Sequence, residues 1–289
     1  VEYNDLKNID YLKILLIGKL SYLKGEETTT LIENNLYTNI EQYQYSSYNI
    51  ARDKEITISL KSSNNINNTS KLRALSRQLC LIAIKDLEYE NENENYNENE
   101  NENEKKPVNK STDIFINNCP KNINKLNEYI NKYSTKYYNL IQNLSSKDYN
   151  VFPKGKVLIY SEYRELGVNL IGKILEKYNY KSIISLLPNI NKYFDNNIIT
   201  DKTRKLLIKD LQEISPKYKI FGIYNSNTEN KFLKQNRLLH EIYDLEENDY
   251  GNMMRILFIT KSGSEGLSFK SIRQIHIMEP FWHITRKRQ

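Results

Sequence analysis

The sequence predicts an α/β chain whose second half folds as a doubly wound, mainly parallel sheet. Three observations predict it. Short apolar runs of strand length recur after residue 150, at Lys156–Tyr160, Tyr218–Tyr224, Arg255–Thr260 and Gln274–Met278. Segments with helical apolar spacing fall between them, and polar turn residues close each run. Strands that alternate with helices pair in parallel and are covered on both faces. Right-handed crossovers then make residues 151–289 one lobe, with its functional edge at the carboxyl ends of the strands.

The first half is less regular. Residues 1–60 hold apolar runs, a stretch GKLSYLKG from Gly18 to Gly25, and a Tyr-rich segment over Ile40–Ile50 that reads as helix. Residues 61–70 are Ser/Asn-rich and read as loop. Residues 71–85 (KLRALSRQLCLIAIK) pass from basic to apolar. Residues 88–106 are a Glu/Asn repeat with too little apolar surface to repay ordering, so 86–110 is expected to be a disordered acidic insertion. Residues 111–150 form a helical lead-in, in which Leu126–Leu144 has helical spacing with interleaved tyrosines. Beyond Tyr160, Glu165–Tyr178 sets Leu166, Leu170, Ile174 and Leu175 at helical spacing. Residues 179–215 read as a mostly helical insertion, and Phe232–Leu245 as a second helix.

Composition narrows the class. Hydrophobic residues make up 39% and mean hydropathy is −0.70, low for a globular chain, with Asn, Lys, Ile, Tyr and Glu dominant as an A/T-rich coding sequence produces. The formal charge is +6, unevenly spread. Nine of the 36 acids lie in residues 86–104, which carry no Lys or Arg, so the rest of the chain sets all 42 cations against 27 acids. That balance favours a polyanionic partner, most simply nucleic acid, although Lys-rich coding and solubility produce the same excess. Cys80 and Cys119 are the only cysteines, and with three scattered histidines they give no metal-ligand spacing. No metal site is expected, and a reducing compartment fits. No apolar run, whether Ile14–Ile17 or another, is long enough to cross a bilayer, so no membrane partner is expected. The chain opens on Val1, and we expect it to be a piece of a longer protein.

Candidate site residues all fall at the predicted strand ends. Tyr160 and Ser161 close the first strand, where a hydroxyl and free amides suit a backbone phosphate; the same Ser is a favoured helix N-cap. Thr260, Lys261, Ser262, Gly263, Ser264, Glu265 and Gly266 form a polar loop after the third strand. Its glycines let amides turn toward an anion, and the hydroxyls and Lys261 add donors and charge. Glu265 suits an arginine or a ribose hydroxyl instead. Glu279, Pro280, Phe281 and Trp282 make an acidic-aromatic corner whose rings can stack a base or pack a lobe surface. Arg286, Lys287 and Arg288 add a basic end. No G-x-x-x-x-G-K-[ST] phosphate loop and no acidic magnesium-binding tetrad occurs anywhere, so the chain alone cannot be a complete NTPase of that type.

Together these pieces resemble the second RecA-like lobe of superfamily 2 helicases. The details are most similar to the group that includes the poxvirus early transcription factor small subunit and related viral nucleoside triphosphatases, with relatives in other large DNA viruses and yeast cytoplasmic linear plasmids. Leu158–Ser161 matches the group's LIYS strand (motif IV). Thr260, Ser262, Gly263, Glu265 and Gly266 match its T-x-SG-x-EG loop (motif V). Glu279–Trp282, Arg286 and Gln289 match EPYW followed by R-x-x-Q. Upstream, Ser76–Cys80 resembles SRQ-x-CNF, departing from it after Cys80, and Gly18–Tyr22 resembles GKISY.

The resemblance implies an ATP-dependent helicase or nucleoside triphosphatase, acting in viral or plasmid transcription. Residues 1–85 would be the inter-lobe linker and 151–289 the C-terminal lobe, ending within motif VI before its glycine and two arginines. Gly263, Glu265, Gly266 and Gln289 would touch nucleotide. Tyr160, Ser161, Thr260, Lys261, Ser262 and Arg286 would touch DNA or RNA, as a single strand. No catalytic residue lies in this chain: ATP and Mg2+ would be held mainly by a first lobe absent from it, leaving the fragment inactive alone. A viral RNA polymerase or second transcription-factor subunit is the implied protein partner, in host cytoplasm or virion. Two other readings stay open: a non-catalytic nucleic-acid or transcription-complex scaffold derived from such a lobe, and an unrelated phosphate- or nucleotide-sugar-binding α/β domain.

Overall fold

In the computed structural model the described residues are 39–61, 74–84, 107–149, 151–224, 230–260 and 267–279. The Ser/Asn loop, nearly all of the Glu/Asn insertion and the GKLSYLKG stretch lie outside them.

Among the described residues five parallel strands form the sheet: β1 (Lys156–Tyr160), β2 (Tyr180–Ser182), β3 (Lys219–Ile223), β4 (Ile256–Ile259) and β5 (Ile272–Ile277), in the order β2-β3-β4-β1-β5. The chain leaves β1 for the far edge, steps back through β3 and β4, then crosses to β5 on the other side of β1. The order therefore reverses at β1, which directs the functional edge to its carboxyl end. Residues 179–215, expected to be mostly helical, instead open with β2. Three residues with one buried side chain carry too little alternation to read as a strand, and only pairing with β3 makes them one. The remainder is mostly helical as expected.

Alternation within β1 and β4 builds two cores. Val157, Ile159, Ile256 and Phe258 point to one face, under α4 (Ile123–Tyr133), α5 (Thr135–Ser145) and α6 (Leu170–Lys177). Leu158, Tyr160, Leu257 and Ile259 point to the other, under α8 (Asp201–Ile214) and α9 (Asn230–Asp244). A short helix, α7 (Ile183–Leu186), follows β2 on that second side. On β5, Ile275 and Ile277 are 53% and 42% exposed.

The helical lead-in divides where the sequence reads as one helix. Ser134 adopts an extended φ of −154° between α4 and α5. Its hydroxyl accepts the Tyr137 amide and donates 2.6 Å to the Leu81 carbonyl, so it starts a new helix and ties the segment to residue 81. Upstream, α1 (Gln42–Lys61) and α2 (Ala74–Leu81) are joined by buried polar contacts. Gln44 donates to the Leu79 carbonyl at 2.9 Å, and the Glu55 carboxylate accepts the Ser76 amide at 3.0 Å in the first turn of α2, where a negative charge is favoured. A third helix, α3 (Pro107–Asn117), packs Phe115 against Tyr129 and Tyr133.

Opposite the functional edge, buried polar groups fix the entry to β4. Asn248 is fully buried; its amide donates to the Tyr243 and Met254 carbonyls, and its oxygen accepts the Met253 and Met254 amides. The fully buried Lys156 donates 2.7 Å to the same Tyr243 carbonyl, at the C-terminal end of α9, where a cation is favoured. Burial holds its ammonium below the usual lysine range, opposed by Asp244 and Asp249. Asn248→Ala strands two buried amides and a carbonyl, and should lower stability by about 3 kcal/mol in urea denaturation. Asn248→Asp should not restore it, because a carboxylate would face two carbonyl oxygens.

Candidate nucleic-acid and nucleotide edge

The parallel register brings three of the predicted strand ends to one line. Tyr160 lies opposite Ile259 of β4 and Ile277 of β5. Ser161 therefore sits beside Thr260 on one side and Met278 on the other. The Ser161 amide donates to the Ile259 carbonyl at 3.2 Å, and the Met278 amide to the Tyr160 carbonyl at 3.0 Å. Of the residues singled out from sequence, Tyr160, Ser161, Thr260 and Glu279 fall within the described residues and meet here. Lys261, Ser262, Gly263, Glu265, Gly266, Arg286 and Gln289, with Phe281 and Trp282, lie outside them.

At this edge the side chains are sheltered. The Tyr160 ring is 5% exposed and packs in the α8–α9 core, and Thr260 is 7% exposed. Ser161 is wholly buried. Its hydroxyl donates 2.8 Å to Glu279 Oε1, and the next amide, of Glu162, donates 2.9 Å to Glu279 Oε2. One carboxyl group thus holds two successive donors at the end of β1. Gly167 makes the fit possible, since a Cβ there would fall on Ser161 Oγ and within 2.8 Å of Ser161 Cβ. Gly167 belongs to a π-turn over Arg164–Asn169, in which the Val168 amide reaches back to the Tyr163 carbonyl while the Tyr137 hydroxyl donates to the Leu166 carbonyl. Such turns are found at functional sites more often than elsewhere.

Two helices reach the same point. Arg77 of α2 pairs with Glu162 at 2.9 Å, and Lys136 in the first turn of α5 donates 3.2 Å to the Met278 carbonyl. Burial pushes the Glu279 carboxyl up to about 7, against the bonds from Glu162 and Ser161 and the charge of Lys136, with the neighbouring Glu162 adding to the rise. Both protonation states suit the geometry. The anion accepts from both donors; the acid donates its proton to Ser161 Oγ and still accepts the Glu162 amide.

The far stem of the polar loop is anchored on α9. His240 contacts the Ser268 carbonyl at 3.2 Å, the Lys270 amide donates 3.0 Å to Asp244, and Phe269 packs edge-on against Tyr243. One stem of the loop is thus β4 and the other is held by a helix. A separate cleft of about 350 Å3 opens beside the ends of β2 and β3, lined by Asp113, Glu165, Asn169, Lys173, Glu176 and Ser182. Three carboxylates against one ammonium make it a poor receiver of phosphate.

Sequence reasoning singled out Glu279 within its corner but missed its role, and missed Glu162, Arg77, Lys136 and His240. Arg77 stands in the SRQ segment, a signal that was present; the others had none, because their partners are 28 to 142 residues away.

No protein-family model matches the chain. Three relatives are informative. A termination factor NPH-I homolog of African swine fever virus (isolate Tick/South Africa/Pretoriuskop Pr4/1996) is 30% identical over 141 residues, 47% of this chain and 20% of that protein. Two Acanthamoeba polyphaga mimivirus proteins, putative ATP-dependent RNA helicases R563 and R350, are 21% and 24% identical over 55% and 58% of this chain, and 22% and 19% of their own lengths. The chain spans about a fifth of the length of the curated relatives it matches.

Glu279 gives a direct test of this geometry. Its folded-state value, about 7, is raised above the ordinary 4.5. The native state therefore binds this proton more tightly than the unfolded chain does. Its contribution is full below the unfolded value and is lost as pH rises through 7. Glu279→Gln removes the titration. Measured by denaturation, the stability of the wild-type chain relative to the Gln variant should fall by about 3 kcal/mol from pH 4.5 to pH 8. A difference independent of pH would mean that the carboxyl is not buried.

Proposed function

We propose, for a chain similar over about half its length to viral proteins named as a termination factor homolog and as putative ATP-dependent RNA helicases, that it is the C-terminal part of a nucleic-acid-dependent ATPase or helicase acting in viral or plasmid transcription. The observation that carries this reading is the convergence of the β1, β4 and β5 ends on one edge of a parallel sheet, with the Ser/Gly loop between β4 and β5. Motor lobes of this architecture grip strand phosphates and nucleotide along such an edge.

In this reading Gly263, Glu265, Gly266 and Gln289 contact nucleotide, and Thr260, Lys261, Ser262 and Arg286 contact a single strand of DNA or RNA, alongside the end of β1 at Tyr160 and Ser161. The chain's own residues orient and neutralise. Loop amides and hydroxyls donate to phosphate oxygens, and the basic residues lower the cost of bringing a polyanion to the edge. Among the described residues, the two carboxylates at the edge, Glu162 and Glu279, already hold Arg77 and the Ser161–Glu162 donors. They do not suit the Mg2+ that accompanies ATP, and we assign that ion and the phosphate loop to a lobe outside this sequence. The protein partner would be a viral RNA polymerase or a second transcription-factor subunit, and the setting host cytoplasm or the virion.

The chain alone should therefore bind a labelled oligo-dT but turn over no ATP. Its affinity, followed by fluorescence anisotropy, should weaken roughly tenfold between 50 and 200 mM salt, as release of a few counterions requires. Affinity flat across that range would sink the phosphate-grip reading. In the full-length protein, Ser262→Ala and Glu265→Ala should each reduce polynucleotide-stimulated ATP turnover; unchanged turnover would favour an unrelated α/β domain.

A further inference from the structure

Three distant segments meet at Glu162. Its amide is held by Glu279, 117 residues away, and its side chain by Arg77, 85 residues away in the other direction. Glu162 is thereby gripped at both ends, by the end of β5 through its backbone and by α2 through its carboxylate. The preceding residue, Ser161, is fixed by the same Glu279 carboxyl and wedged against Gly167. The start of α2, in turn, is tied to α1 through the Ser76 amide and Glu55, with Arg52 beside it at 3.1 Å. The result is a continuous polar chain from α1 through α2 to the carboxyl ends of β1 and β5.

We propose that Arg77 is a positioning residue for the edge of the lobe: by pairing with Glu162 it couples helix α2 to the Ser161–Arg164 turn and to the chain leaving β5. The assignment of that edge to nucleic acid rests on the function proposed above; the coupling itself does not. A half-buried ion pair such as Arg77–Glu162 adds little to global stability, since its side chains are 25% and 22% exposed and solvent screens them. Its geometric effect is larger, because Arg77 presents a planar fork that fixes direction as well as charge. With the Ser161 amide bonded to the Ile259 carbonyl, the Ser161 hydroxyl and the Glu162 amide are the next two donors beyond β1. With both committed to Glu279, the orientation of this turn, and of whatever it presents to a ligand, follows α2.

The test uses the 289-residue chain with Arg77→Met, Arg77→Lys, Glu162→Gln and the Arg77→Met/Glu162→Gln double variant. Amide exchange in peptides covering 161–164 and 278–279 is read without ligand, oligo-dT affinity is read separately, and thermal melting monitors the fold. Arg77→Met and Glu162→Gln should each speed exchange at 161–164 and weaken oligo-dT binding about fivefold at nearly unchanged melting temperature, with no further loss in the double variant. Arg77→Lys should recover part of both losses. Unchanged exchange in Arg77→Met, or single effects that simply add in the double variant, would overturn the coupling. If exchange responds as expected while wild-type chain fails to bind oligo-dT, the coupling stands and the nucleic-acid reading of the edge falls.

Discussion

Strand β1 is bonded on both edges and buried on both faces, and the other elements take their places from it. Each of its five residues is buried, with Val157 and Ile159 supplying one core and Leu158 and Tyr160 the other. A strand in that position admits no slip in register, because a shift of one residue would exchange the two faces and expose both cores. That constraint sets where β4 and β5 end, and so brings Ser161, Thr260 and Glu279 together. It also explains why a lysine begins the strand. Lys156 is tolerated in a fully buried place because the end of α9 offers a carbonyl and two nearby carboxylates offset its charge.

At the other end of β1 the chemistry is economical with donors. A helix or turn that starts after a strand leaves amides without partners, and these are what anions seek. Here the first such amide and the neighbouring hydroxyl are satisfied internally by Glu279. The turn is consequently rigid rather than receptive, and contact with a ligand passes to the segments it orients. Lys136 and Arg77 supply cations within reach of the two carboxylates, so the edge gathers opposite charges from α2, α5 and the ends of β1 and β5 without isolating any one of them.

Much of this architecture was legible because strands buried on both faces leave an unmistakable mark. Lys156–Tyr160 and Arg255–Thr260 are nearly unbroken apolar runs, and both are central strands. Gln274–Met278 read as a strand despite two polar residues, and is the edge strand in which Gln274 is buried and hydrogen-bonded to the Pro153 carbonyl. The short β2 was not legible, since one buried tyrosine in three residues has no period. The break at Ser134 was hidden for another reason: apolar spacing continues across it, and only the bond from its hydroxyl to Leu81, 53 residues earlier, shows why the helix restarts. The site followed the same rule. Strand ends could be named from local sequence, whereas the pairing of Glu279 with Ser161 and of Arg77 with Glu162 depends on folding that brings distant segments together.

The two edges of the sheet differ in a way that bears on handling the protein. At one side, β2 is three residues long and turns Lys181 outward, both features that discourage another strand from docking. At the other, β5 is six residues long and leaves Ile275 and Ile277 in contact with solvent, with β1 its only strand partner among the described residues. Self-association of a concentrated preparation should begin there, by strand addition along β5. A single lysine in place of Ile275 would be the first change to make for a more soluble sample, because it charges the edge while leaving the inward-facing Gln274 and His276 untouched.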